Sequence, residues 1–173
     1  MPMTPYEIFA QMNSAQASHI FEYLFENEKP LYKAAIDSLA KQRKLRPVFI
    51  ERKPRKERFE WLKSAAGRKA NDGVAAHLLQ IWLVGEHSAL LCDFLDALGI
   101  EHDDNGTVDS LPEAPAKEDL QKAIDGLLEK YDADTVAIYL HAFQALDEEE
   151  GWPALTGILE EDVRLTQVFK SAD

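Results

Sequence analysis

A single cysteine, Cys92, occurs in 173 residues. One thiol excludes an intramolecular disulfide, a CxxC redox pair and a four-thiolate zinc site, and it favours a reducing compartment. No apolar run approaches the roughly 20 residues that a bilayer-spanning helix needs. The opening MPMTPYEIFAQMNS has neither a basic leader nor a long apolar segment. The expectation is a cytoplasmic protein with no membrane partner. No stretch alternates apolar and polar residues with period two, and all eight prolines fall at or outside the ends of helix-like segments, so nothing reads as a sheet. The five histidines, at 19, 77, 87, 102 and 141, form no HExxH, no paired i,i+4 set and no Cys/His ligand spacing. GxSxG, a glycine-rich phosphate loop and a dinucleotide fingerprint are all missing. No cofactor and no catalytic residue is assigned from motifs.

What the chain does carry is helical periodicity. Apolar residues make up 46% and charged residues 29%, ordinary values for a folded chain that builds its core without staples. The length suits one all-helical domain spanning 1–173. Spacing predicts an all-α bundle of about eight or nine helices, with short loops favouring antiparallel neighbours. Residues 74–84, VAAHLLQIWLV between Gly73 and Gly85, are apolar except for His77 and Gln80. They are expected to form a central helix buried on nearly every side. Residues 135–146, TVAIYLHAFQAL, read as a second buried helix. Thr4 with Glu7 and Asn13 with Gln16 have capping-box spacing, and Gly99 sits where a helix would end. Residues 115–131 are strongly amphipathic, and Gly126 in their interior suggests a close backbone approach. Residues 46–50, RPVFI, read as an extended segment lying on the protein, because proline drives its predecessor out of the α region. A loose echo between residues 74–109 and 120–155 suggests stacked helical hairpins.

Charge is unevenly distributed. The net value of −12 hides a stretch, 41–69, with twelve Lys/Arg against Glu51, Glu57 and Glu60, a local balance of +9. Residues 101–173 hold nineteen Asp/Glu against five Lys/Arg, a balance of −14. Arg43, Lys44, Arg46, Arg52, Lys53, Arg55, Lys56 and Arg58, with Phe49, Phe59 and Trp61 nearby, are the candidate contact residues. Cations neutralise phosphates and aromatic faces stack on bases, so nucleic acid is one partner class. The core-like spacing of the aromatics and the overall negative charge argue against it. The strip has two other possible counterparts: the acidic half of its own chain, or that of a second copy met head to tail.

Two further constellations bear on chemistry. In the acidic irregular loop 99–116, Glu101, Asp103, Asn105, Gly106, Thr107, Val108 and Asp109 fall in part of a calcium-loop register. The first ligand should be Asp, and the twelfth position holds Pro112 in place of a bidentate Glu, so Asp103, Asn105 and Asp109 are weak metal candidates and no metal is assigned. His77 and His141 could meet across the core, but a hydrogen-bonded core imidazole is the simpler reading, with Gln80 a natural neighbour for His77. The functional expectation is a non-enzymatic protein-interaction domain (scaffold or adaptor) that meets another protein or a second copy of itself. Nucleic-acid binding through the same strip is the alternative. An enzyme with a carboxylate/His site in an interhelical cleft is the next.

Overall fold

The computed structural model describes residues 3–108, 113–145 and 152–169. Among them are eleven α-helices, nine of seven residues or more, and no strand. They are α1 (Pro5–Gln11), α2 (Ser14–Asn27), α3 (Lys29–Gln42), α4 (Pro47–Glu51), α5 (Arg55–Ala66), α6 (Asp72–Glu86), α7 (Ser88–Ala97), α8 (Lys117–Lys130), α9 (Ala133–Ala145), α10 (Pro153–Glu161) and α11 (Val163–Thr166). Short 3-10 turns at Lys69–Asn71 and Gln167–Phe169 complete the set. The fold is all-α, as the periodicity predicts.

Local chemistry sets the helix ends. Glu7 Oε2 accepts from the Thr4 amide at 2.9 Å, and the Asn13 and Gln16 side chains each accept the other's amide, at 2.8 and 3.1 Å. These bonds satisfy donors that a helix start leaves orphaned. Gly99 has φ +69, and the Ile100 amide reaches back to the Leu95 carbonyl at 2.9 Å, closing α7 as expected. Between α6 and α7 the chain turns by 85°, a corner and not an antiparallel hairpin.

The core gathers on α9, which touches α1, α6, α8, α10 and α11. Every residue from 136 to 142 is buried, and Gln144 with them. Gln144 is fully engaged: its Oε1 accepts from the Trp152 amide at 2.7 Å and its Nε2 donates to Thr156 Oγ1 at 2.6 Å. That pair ties the end of α9 to the start of α10 and satisfies a buried amide that would otherwise be costly.

The expectation for α6 needs correcting. Ala75, Leu78, Leu79, Trp82 and Leu83 are buried, but Val74 is 40% exposed, and His77 and Gln80 share the same open edge. At steps of three residues these positions fall on one face of a helix, so α6 is two-sided and α9 alone is enclosed. Gly126 is corrected as well: a Cβ there would meet nothing within 4 Å. Close approaches lie elsewhere: a Cβ at Gly67 would press on the Ala10 backbone, one at Gly106 on Leu91 and the Cys92 amide, and one at Gly85 on the Tyr23 hydroxyl.

The segment 46–50 is helical, not extended. Arg46 does adopt the extended conformation that a following proline imposes, with φ −78 and ψ 142. Pro47 itself starts a helix, a position where its missing N–H costs nothing. Of the three apolar residues after it, only Ile50 is buried.

Truncation should separate the two apolar helices. Leu140→Ala in α9 should lower unfolding free energy by about 2–5 kcal/mol, whereas Val74→Ala in α6 should change it by less than about 1 kcal/mol. Urea denaturation of the two variants checks this.

Candidate functional site

Helices α3, α4 and α5 present the basic stretch on one side of the molecule. At the end of α3, Lys44 takes the left-handed conformation with φ 57, and the Leu45 amide bonds to the Ala40 carbonyl at 2.9 Å. This cap turns the chain outward before Pro47. The short helix α4 then rests on α3 through Ile50, which is fully buried. Its other apolar side chains face water: Val48 is 39% exposed and Phe49 53%, with Leu45 beside them in sequence at 39%. Solvent-facing apolar side chains concentrated in one short segment mark a contact surface more often than isolated ones do.

The cations around this knob fall into two groups. Arg43 and Lys53 lie over the Trp61 ring, 4.0 and 4.2 Å from its centroid, and Lys53 also pairs with Glu57 at 3.0 Å. Arg55 pairs with Glu22 at 3.4 Å and stands 4.9 Å from the Phe25 ring, with Arg58 at 5.9 Å from the same ring. These four fasten α5 to α2 and α3. Lys44, Arg46, Arg52 and Lys56 are exposed and make no ion pair among the described residues. Of the candidate residues, these four and Phe49 are exposed with no ion pair or ring contact among the described residues, while Arg43 and Arg55 are exposed but engaged.

The aromatics are largely used internally. Phe59 is buried against Phe21 and Tyr32, and Trp61 is half-buried under its two cations. Nor does the strip lie on the acidic half of its own chain: among the described residues its ion pairs go to Glu22 and Glu57. The cations of the acidic half are engaged elsewhere: Lys130 on Asp93 of α7 at 2.7 Å, Lys117 on Glu161 at 3.4 Å, and Arg164 on both Asp125 and Asp162 at 2.7 Å. Those bonds hold the Asp93, Asp125 and Asp162 carboxyls below the usual carboxylate range.

Asp103 turns its carboxylate onto its own backbone, accepting from the Asn105 and Thr107 amides at 2.9 and 3.0 Å and from the Thr107 hydroxyl at 2.5 Å. That geometry is a side-chain-capped turn, and Asp109 lies outside the described residues. Among the described residues no group of three His, Cys, Asp or Glu is placed to hold a metal. Cys92 is half-buried and its thiol is pushed up by burial and the surrounding aspartates, so it is not activated. His77 is exposed and His141 buried, so the two do not meet, and Gln80 is exposed with His77.

Sequence reasoning missed a cleft of about 430 Å³ between α2, the end of α6 and the start of α9. His19, His87, Glu86, Asp132, Asp134 and Gln16 line its sides, over Trp82 and Ile138. Glu86 accepts from the Trp82 indole at 2.6 Å and lies 3.8 Å from His87, whose pKa burial lowers. No spacing along the chain could have revealed it, because its walls come from three distant segments. No family model matches this chain, and no curated protein or solved structure matches it either.

The buried histidine yields a pH prediction. His141 packs edge-on against Phe169, its Nδ1 has no hydrogen-bond partner among the described residues, and burial pushes its pKa down to about 4. A base whose folded pKa lies below its unfolded value of about 6.5 is neutral in the folded state. Its contribution is therefore intact above pH 6.5 and is lost as pH falls toward 4, by up to about 3 kcal/mol. The depressed carboxyls act only below that window, His87, also lowered by burial, acts with the same sign, and His102, raised by the Asp103 carbonyl and Asp96, acts with the opposite sign. In denaturation series across this range, His141→Leu should show a shallower acid limb than the parent, and parallel curves would contradict the assignment.

Proposed function

We propose that the chain is a protein-interaction domain, a scaffold or adaptor, that docks an acidic partner on the face built by α3, α4 and α5. The observation that carries this reading is the placement of exposed Leu45, Val48 and Phe49 among Lys44, Arg46, Arg52 and Lys56. An apolar centre with a charged rim is the usual anatomy of a transient interface: the centre contributes affinity, the rim rate and selectivity. Phe49, the most exposed aromatic of the strip, is the expected anchor, and truncating such a residue typically costs about 2 kcal/mol or more.

The same cations would suit nucleic acid, but base stacking needs open rings. Phe59 is buried and Trp61 lies under Arg43 and Lys53, which leaves Phe49 to serve that role. An acidic protein surface makes use of the whole face, apolar knob included.

The experiment is affinity capture from the native cell extract with the parent chain, with Phe49→Ala, and with Arg46, Arg52 and Lys56 together replaced by Glu. These cations are chosen because they fasten nothing inside the fold. Capture of an acidic protein should fall at least tenfold in both variants and weaken as salt rises. Unchanged capture would overturn the proposal, and so would a captured partner that nuclease removes.

A further inference from the structure

Resting on that reading, we propose that the partner is a second copy of this chain, whose Phe49-bearing knob enters the acidic cleft between α2, α6 and α9 in a head-to-tail contact. The two surfaces are opposite in sign. One carries exposed Leu45, Val48 and Phe49 next to exposed Lys44, Arg46 and Arg52 along the chain. The other is concave, of about 430 Å³, with Trp82 and Ile138 within and Glu86, Asp132 and Asp134 at its sides. A volume of a few hundred Å³ is the scale at which pockets enclose side-chain-sized groups. His87 at its edge is held neutral by burial, so the carboxylates set the sign.

Knob and cleft share no residue, so each copy offers one of each. Such a contact is heterologous: it builds rings if the rotation closes and filaments if it does not. Copies of net charge −12 repel at long range, but at about 0.15 M salt the screening length is roughly 8 Å. Distant repulsion is then damped while touching patches still attract. Association should therefore be strongest at intermediate salt and weaker both well below and well above it.

The test is sedimentation velocity over a rising concentration series, with the parent, with Phe49→Glu, and with Asp132→Lys/Asp134→Lys. All three positions are exposed, so the variants keep the fold, which circular dichroism checks. The parent should grow in mass with concentration. Each variant alone should remain a single chain, since one lacks a knob and the other a cleft. Mixed one to one, they retain one good knob and one good cleft, and should form particles of twice the chain mass that grow no further. A parent that stays single at every salt and concentration would overturn the proposal, as would a mixture that fails to pair or a cleft variant that assembles like the parent. If self-docking fails in these ways while Phe49→Ala still loses capture of an acidic protein, the interaction reading stands and only the second copy is excluded. If capture is also unaffected, both fall.

Discussion

A helix with no face toward water dictates the rest of this molecule. Residues 136–142 of α9 are buried without interruption, and such a segment forms only if other helices cover it on all sides. Five do, drawn from both ends of the chain. Enclosure also fixes what polar atoms α9 can carry. Gln144 is accepted because the Trp152 amide and the Thr156 hydroxyl stand opposite it. His141 has no such partner on Nδ1 among the described residues and is held neutral. The first case locks α10 in place, and the second leaves an acid-sensitive point in the core.

The contrast between α6 and α9 shows where sequence reading ends. Both are nearly all apolar, and each carries a His and a Gln three residues apart, His77 with Gln80 and His141 with Gln144. In α6 the pair marks the edge left in water, while in α9 it is buried. Nothing in either helix distinguishes them. The difference lies in what segment 152–156 brings across from elsewhere in the chain. Features governed by neighbours in sequence were readable: both capping boxes, the Gly99 stop, the amphipathic stripe of α8 and the all-helical class. Pro47 was half readable, since it fixed the backbone of Arg46 but was itself a helix start.

The functional surface divides in the same way. Clustering of Lys and Arg in 41–69 is visible in composition, but which of them are free to meet a partner is not. Trp61 and Phe25 draw Arg43, Lys53, Arg55 and Arg58 into the fold, leaving Lys44, Arg46, Arg52 and Lys56 to face outward. Val48 and Phe49, expected on an extended segment lying on the protein, stand open on a short helix, because one buried residue, Ile50, suffices to seat a helix of five. Charge is thus arranged as two poles that do not neutralise each other within the described residues. That arrangement is why the proposals turn on intermolecular contact and not on chemistry within one chain.

Enclosure of α9 is tested most directly by amide hydrogen exchange read residue by residue under native conditions. Amides of α9 should exchange only through global unfolding, with the slowest rates in the chain, while those of α4 and of the open edge of α6 exchange through smaller openings at lower free energy. Exchange in α9 as fast as in α4 would show that it is not shut away from water, and the architecture described around it would not hold.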